Sequence, residues 1–539
     1  VLAPLAGDEF CLVSLSNRTV IYKGLSELSR IAELYPDLRH EDYASRFVTF
    51  HSRYCTNTTT AWRRAQPFWS LAHNGEINTI KGNVAWMQAI GRDLVDRLVR
   101  RNPGLREIGE RVTSVICAGG SDTANLDDMM IALMAGGMSL TEAMLALLPP
   151  AEGAGGPLEE FLRSMSVYLG ACDGPAAIVA SDGDEAVAHL DRNGLRPLWI
   201  AADEDVAVAA SELPGGFPAG TPVLQRLLGP GETVTVDLTT GAVSLDEEVR
   251  RTVAKRSSAR AWVLPVPDDA APETPATELV RLQRAFGMGS EDIDVVLKPL
   301  AETGKPAIGA MGDDTSPAAL LDLLPRRIED HFALRFAQET SPPVDPIRDA
   351  WVFDPSVSLG DRSGLWEGGG RGTYVLRDRI FGLGRSQAIR RESRSHQISL
   401  TFPVSEGPHG LEARLEALES EALAAVDRFP ILILDDSGVD GARAAVPMVR
   451  AISRIHQALV RAGHRHRVGL LAHAGSWDIH HCAVLVSLGA DAVCPWLGCQ
   501  TVGPDREEKY LAGLRSGFVE AMSMTGVTPA SIRLRPSAM

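Results

Sequence analysis

Nowhere in its 539 residues does the chain hold an apolar run near the ~18–20 residues that cross a bilayer. It has no basic excess either. Its 53 Lys and Arg stand against 69 Asp and Glu, a formal net charge of −16. That excludes the basic footprint of a general nucleic-acid binder and works against docking on an anionic membrane. The start, Val1-Leu2-Ala3-Pro4, lacks a charged segment followed by an apolar one, so no secretory signal is expected. Cysteine is sparse. Cys11, Cys55, Cys117, Cys172, Cys482, Cys494 and Cys499 are odd in number, scattered and without a CxxC pair. This suits a reducing compartment, and the cytoplasm is the expected location. The first residue is Val, not Met, which favours a piece of a longer product.

What is present is the composition of a globular protein: 45% hydrophobic and 23% charged, with a mean hydropathy of −0.01. At ~100–200 residues per domain, two to four domains are expected.

The organising stretch is Phe68 to Asn83. Phe68 to Ala72 reads as a buried strand that breaks at Asn74-Gly75, a dipeptide tolerant of φ > 0, before a helix over Asn83 to Arg100. Asn74 and Gly75 then form either a plain tight turn or two adjacent hydrogen-bond donors fixed at a strand end. The second arrangement is what an oxyanion hole requires.

Upstream, residues 10–23 read as a hairpin around Ser16-Asn17-Arg18, and Phe47 to Tyr54 reads as a strand. Arg53, at the end of that strand, is either an ordinary surface residue or a planar fork for a carboxylate. Downstream, Ser121, Asp122 and Thr123 are candidate N-caps of a helix over Leu126 to Ala135. Asp122 is a plain cap or a carboxylate that pairs with an ammonium. A second helix over Ser139 to Leu148 stops at Pro149-Pro150, and a run of antiparallel strands with frequent turn signals extends from Ala176 to Leu238.

Residues 254–276, Pro/Ala-rich from Pro265, read as a linker. Beyond it, apolar strands near Ile431, Val468 and Ala492 alternate with helices over Val446 to Ala462 and Trp477 to Leu488. That βαβαβ order predicts a parallel sheet. Gly368 to Gly372 matches no phosphate-binding spacing and reads as a flexible loop. His480-His481-Cys482 reads as structural, because adjacent helical residues point in different directions.

Four segments occur in order: His51-Ser-Arg-Tyr-Cys-Thr-Asn-Thr58, Ala72-His-Asn-Gly-Glu-Ile-Asn-Thr79, Gly120-Ser-Asp-Thr-Ala-Asn-Leu-Asp127 and Leu190-Asp-Arg-Asn-Gly-Leu-Arg-Pro197. Together they resemble the class II glutamine amidotransferase domain of the glutamate synthase large-subunit family. Phe286-Gly287, Met311 to Thr315, Phe336 to Arg348 and Asp435 to Asp440 resemble that family's central domain. The resemblance implies a mixed α/β and α+β chain. A partial Ntn-hydrolase αββα amidotransferase domain would occupy 1–253, and 254–276 would be the linker. An α/β central domain with a parallel sheet would occupy 277–508, and 509–539 would begin a synthase domain.

It further implies that Arg53 holds the α-carboxylate of glutamine, that Asp122 holds its α-ammonium, and that Asn74 and the Gly75 N–H hold the oxyanion. The family nucleophile is an N-terminal Cys, whereas residue 1 here is Val. Cys11 lies within the expected hairpin, and Cys55 has no neighbouring base in the sequence, so neither is assigned that role. No cofactor is expected in this chain. FMN and an iron–sulfur cluster would belong to a synthase portion lying beyond it, and that portion or an electron-donating subunit would be the partner. Two functions stay open at this stage: glutamine-dependent amidotransfer as part of a larger enzyme, or an inactive paralogue that binds an amino acid or another subunit.

Overall fold

A computed structural model describes residues 11–52, 61–112, 114–117, 119–150, 169–213, 222–256, 275–305, 327–334, 355–363 and 373–525, with a few isolated positions between and after them. The chain forms two compact units, Val1–Ser258 and Ala259–Met539.

In the first unit, a five-stranded antiparallel sheet has the order β1-β2-β3-β7-β8, with β1 Leu71–Gly75, β2 Ala176–Ser181, β3 Glu185–Leu190, β7 Thr233–Asp237 and β8 Val243–Ser244. A second antiparallel sheet is built from β4 Trp199–Ala202, β5 Ala207–Ala210 and β6 Leu224–Leu227, in the order β5-β4-β6. Period-2 alternation gives the large sheet two apolar faces. Ala177, Ala188, Leu190 and Val234 on one face share a core with Leu198, Ile200 and Leu228, so the two sheets stack. The opposite face, with Leu71, Ile178 and Ala180, is buried on the side of α1 Ile80–Arg101, α2 Asp122–Ala135 and α3 Leu140–Leu147. The described layers are therefore helix, sheet, sheet.

Local chemistry accounts for the helix ends. Ser121 caps α2 by accepting the N–H of Ala124 at 3.2 Å, so the helix starts at Asp122 rather than at Leu126. Ser139 and Glu142 form a reciprocal capping box on α3.

Several upstream expectations are corrected. Residues 11–23 contain no strand. Their serines take the backbone N–H groups a ladder would use: Ser14 Oγ accepts from Ile21 N, and Ser16 Oγ from Arg18 N and Thr19 N. Residues 47–52, the described part of the strand expected over 47–54, are also outside any ladder, and Val48 and Phe50 are exposed. Asn74-Gly75 is not a turn. Both residues lie in β1, paired with Ala177 and Ala176, and the strand begins at Leu71 rather than at Phe68.

In the second unit, β9 Ser395–Ser399, β10 Ile431–Asp435, β11 Gly469–Ala474 and β12 Ala492–Pro495 form a four-stranded sheet in that order, parallel throughout. Ile431 to Leu434 are all buried, as expected of a parallel strand covered on both faces. The helix Met448–Arg461 turns Met448, Val449, Ile452, Ile455 and Leu459 into the core. Tyr510, Leu514 and Phe518 of the helix Pro504–Thr525 lie in the same core, which continues through the boundary expected at 508–509. The glycine loop 368–372 and the segments 311–315 and 336–348 lie outside the described residues.

Candidate functional site

Among the described residues β1 is the edge strand of its sheet, and the site is built on its outer side. In an antiparallel pair, backbone groups point alternately toward the partner and away from it. The outward groups of His73 bond the Gln66 side chain instead of a strand: His73 N donates to Oε1 at 2.7 Å, and Gln66 Nε2 donates to His73 O at 3.1 Å. The Leu71 N–H, also outward, donates to Asp127 Oδ1 at 3.2 Å. Glu76 N, of the inward set, donates to Pro175 O at 3.1 Å. Alternation therefore turns the Gly75 N–H away from β2, toward the open edge. Gly75 has φ +144°, and a Cβ there would stand 1.8 Å from Pro175 O, so only glycine fits.

Asp122 is the first residue of α2, and its carboxylate reaches back to this strand end. Oδ2 accepts the N–H of Ile77 at 3.0 Å, and Oδ1 accepts that of Thr123 at 2.7 Å. His73 lies beside it, with Nε2 3.7 Å from Asp122 Oδ2 and Nδ1 2.7 Å from Thr123 Oγ1. Burial lowers the His73 pKa, partly opposed by the Asp122 charge, so the ring is held toward its neutral form. One turn further along α2, Asp127 accepts the N–H groups of Trp69, Ser70 and Leu71 and the Ser70 hydroxyl, fixing the start of β1.

Asn74 is exposed, and the pleat turns its side chain to the inter-sheet face, opposite His73. Asn74, Gly75 and Asp122 thus gather around the C-terminal end of β1, with Asn74 and Asp122 approaching from different faces of the sheet. Arg53 and Cys55 lie outside the described residues. The motifs of the sequence do not by themselves distinguish His73 or Asp127 as site residues. The available signal was a polar residue at an inward strand position among apolar neighbours, which His73 provides.

The pair His480-His481 sits in a buried polar network of the second unit. His481 lies between Asp478 and Asp330, and His480 Nε2 is 3.0 Å from Glu329 O. Among the described residues, no group of three or more His, Cys, Asp or Glu is arranged to hold a metal ion.

The sequence matches the family Glutamine amidotransferases class-II over residues 2–262 and the Glutamate synthase central domain over residues 281–531. It is 35% identical to the chloroplastic ferredoxin-dependent glutamate synthase of Oryza sativa subsp. japonica over 520 residues, which are 92% of this chain and 32% of that protein. It is 32% identical to the glutamate synthase [NADPH] large chain of Azospirillum brasilense over 561 residues, 97% of this chain and 36% of that one. The chain spans about a third of the length of these curated relatives. Two adjoining domain matches and this identity along nearly the whole chain place it in the glutamate synthase large-subunit family, as a class II glutamine amidotransferase domain followed by a glutamate synthase central domain.

Proposed function

We propose that the first unit binds glutamine at the end of β1 and supports hydrolysis of its side-chain amide, with the ammonia passing to a synthase portion for reductive amination of 2-oxoglutarate. The observation that carries this reading is the convergence of Gly75 and Asp122. An outward backbone N–H beside a carboxylate suits an amino acid whose ammonium needs an anion and whose tetrahedral intermediate needs donors. Asn74 supplies the second donor, and Arg53 takes the α-carboxylate.

Burial pushes the Cys117 and Cys172 thiols up, which favours the protonated form, so neither is assigned as the nucleophile. FMN and an iron–sulfur cluster belong, in this reading, to the synthase portion. Among the described residues no helix is long and apolar enough to cross a membrane, and a cytoplasmic location is part of this proposal.

Titration calorimetry of the chain with L-glutamine tests binding, and ammonia release tests turnover. Saturable binding with turnover supports amidotransfer. Binding without turnover supports the alternative, an amino-acid-binding paralogue. No saturable binding overturns both.

A further inference from the structure

The backbone that follows Gly75 is not held by β1, which ends there. It rests on residues 173–175, which enter β2. Thr79 N donates to Asp173 O at 3.2 Å, and Asp173 N donates to Thr79 Oγ1 at 2.8 Å. Glu76 N donates to Pro175 O. The two segments are in van der Waals contact. Gly174 has φ +151°, and a Cβ on it would stand 2.1 Å from Glu76 O and 2.7 Å from Asn78 N.

The 173–175 segment is itself anchored from the end of β3. Asp173 Oδ2 accepts from Arg192 Nε at 3.2 Å and Nη2 at 2.8 Å, and Oδ1 accepts from Asn193 Nδ2 at 3.1 Å and from Gly174 N at 3.0 Å. Both charged side chains are nearly buried, at 4% and 10% exposure. Four donors leave this carboxylate no capacity for a ligand, so it is an anchor and not a group that touches substrate.

We propose that Asp173 and Arg192, with Asn193, are positioning residues. They clamp the 173–175 segment, which in turn sets the backbone of residues 75–79 and thereby the direction of the Gly75 N–H and the Ile77 N–H that orients Asp122. This rests on the glutamine reading above. A donor that must meet an oxyanion tolerates little error, since a misplacement of about 1 Å costs on the order of a hundredfold in rate.

The test compares the full chain with its Arg192→Lys and Asn193→Ala variants, by amide hydrogen exchange across residues 74–80 and by calorimetry with L-glutamine. Arg192→Lys keeps the charge and loses the fork, and Asn193→Ala removes one donor, so at least one should fold. Arg226→Lys, in the same unit and paired with Glu232, is the control. The expected result is exchange in 74–80 faster by about tenfold, with glutamine affinity falling by a similar factor, while the rest of the unit and the control stay unchanged. Exchange unchanged in 74–80, or rising evenly through the whole unit, overturns the clamp. Faster local exchange in a chain whose parent shows no glutamine binding leaves the clamp standing and overturns the glutamine reading instead.

Discussion

Asp122 Oδ2 accepts the backbone N–H of Ile77 at 3.0 Å, which ties the N-terminus of α2 to the chain just beyond Gly75. One carboxylate therefore has a structural duty and, in the proposed reading, a ligand duty. Asp122→Asn separates them. Its amide oxygen can still accept from Ile77, but the charge that would meet an ammonium is gone. Calorimetry should show glutamine affinity falling at least tenfold, about 1.4 kcal/mol, with a stability loss of only about 1 kcal/mol, because the amide oxygen serves Ile77 while the Thr123 N–H loses its Oδ1 acceptor. Asp122→Ala should add a stability loss of about 1–3 kcal/mol in urea unfolding, because the Ile77 and Thr123 N–H groups lose their acceptor. Equal glutamine affinity in the Asn variant and the parent would mean that Asp122 is a brace alone.

Gly75→Ala and Gly119→Ala form an informative pair. Both glycines have positive φ, +144° and +77°, but a Cβ at Gly119 meets nothing within 4 Å, whereas at Gly75 it runs into Pro175 O. The Gly119 variant should lose about 1 kcal/mol from backbone strain alone. The Gly75 variant should lose roughly 2 kcal/mol or more, because backbone must move as well. Similar losses by chemical denaturation would show that the β1–β2 contact yields easily.

These glycines also mark how far the sequence could be read. Asn74-Gly75 was legible as a special position, but its turn signal misled. The sheet register overrides a dipeptide preference, and Gly75 is required by close approach to Pro175 rather than by a reversal. The parallel strands at Ile431 and Gly469 were legible because they are continuous apolar runs between helical periods. The segments 11–23 and 47–52 carry β-branched and aromatic residues, yet no ladder includes them. Strand propensity states that a residue fits a pleated surface, not that a partner strand is present. The Asp173–Arg192 clamp joins motifs 19 residues apart through side chains. No local period encodes such a contact.

In the second unit, Asp491 bridges two buried guanidinium groups. Oδ1 accepts from Arg362 Nη2 at 2.6 Å, and Oδ2 accepts from Arg465 Nη2 at 2.9 Å and from Leu470 N at 2.7 Å. Burial alone would raise its pKa, but the two arginines overcome that and hold it down at about 2. Because the folded pKa lies below the unfolded one, this carboxylate contributes stability fully present above pH ~4 and lost as pH falls toward 2. Asp491→Asn should cost about 3–5 kcal/mol at pH 7, since two buried cations lose their counter-charge, and it should flatten the acid limb of the unfolding profile. A variant as stable as the parent at pH 7 would show that water reaches the arginines.

Asp436 should act with the opposite sign. Burial pushes its carboxyl up to about 7, although Trp496 Nε1 donates to Oδ1 at 2.7 Å and Gly475 N at 2.9 Å, and Arg327 favours the charged form. Between pH ~4 and 7 the unfolded chain has released this proton while the folded chain keeps it, so stability falls as pH rises through that window. The change should amount to a few kcal/mol. Asp436→Asn offers the same acceptor to Trp496 and Gly475 with no charge to desolvate. Its stability, followed by amide exchange in β10 and β11, should match the parent at pH 5 and exceed it at pH 8, so that the difference between the two opens as pH rises while the buried His456 and His473 act equally on both. If the difference is the same at pH 5 and pH 8, Asp436 is ionised in the folded chain and the Arg327 charge outweighs the cost of burial there.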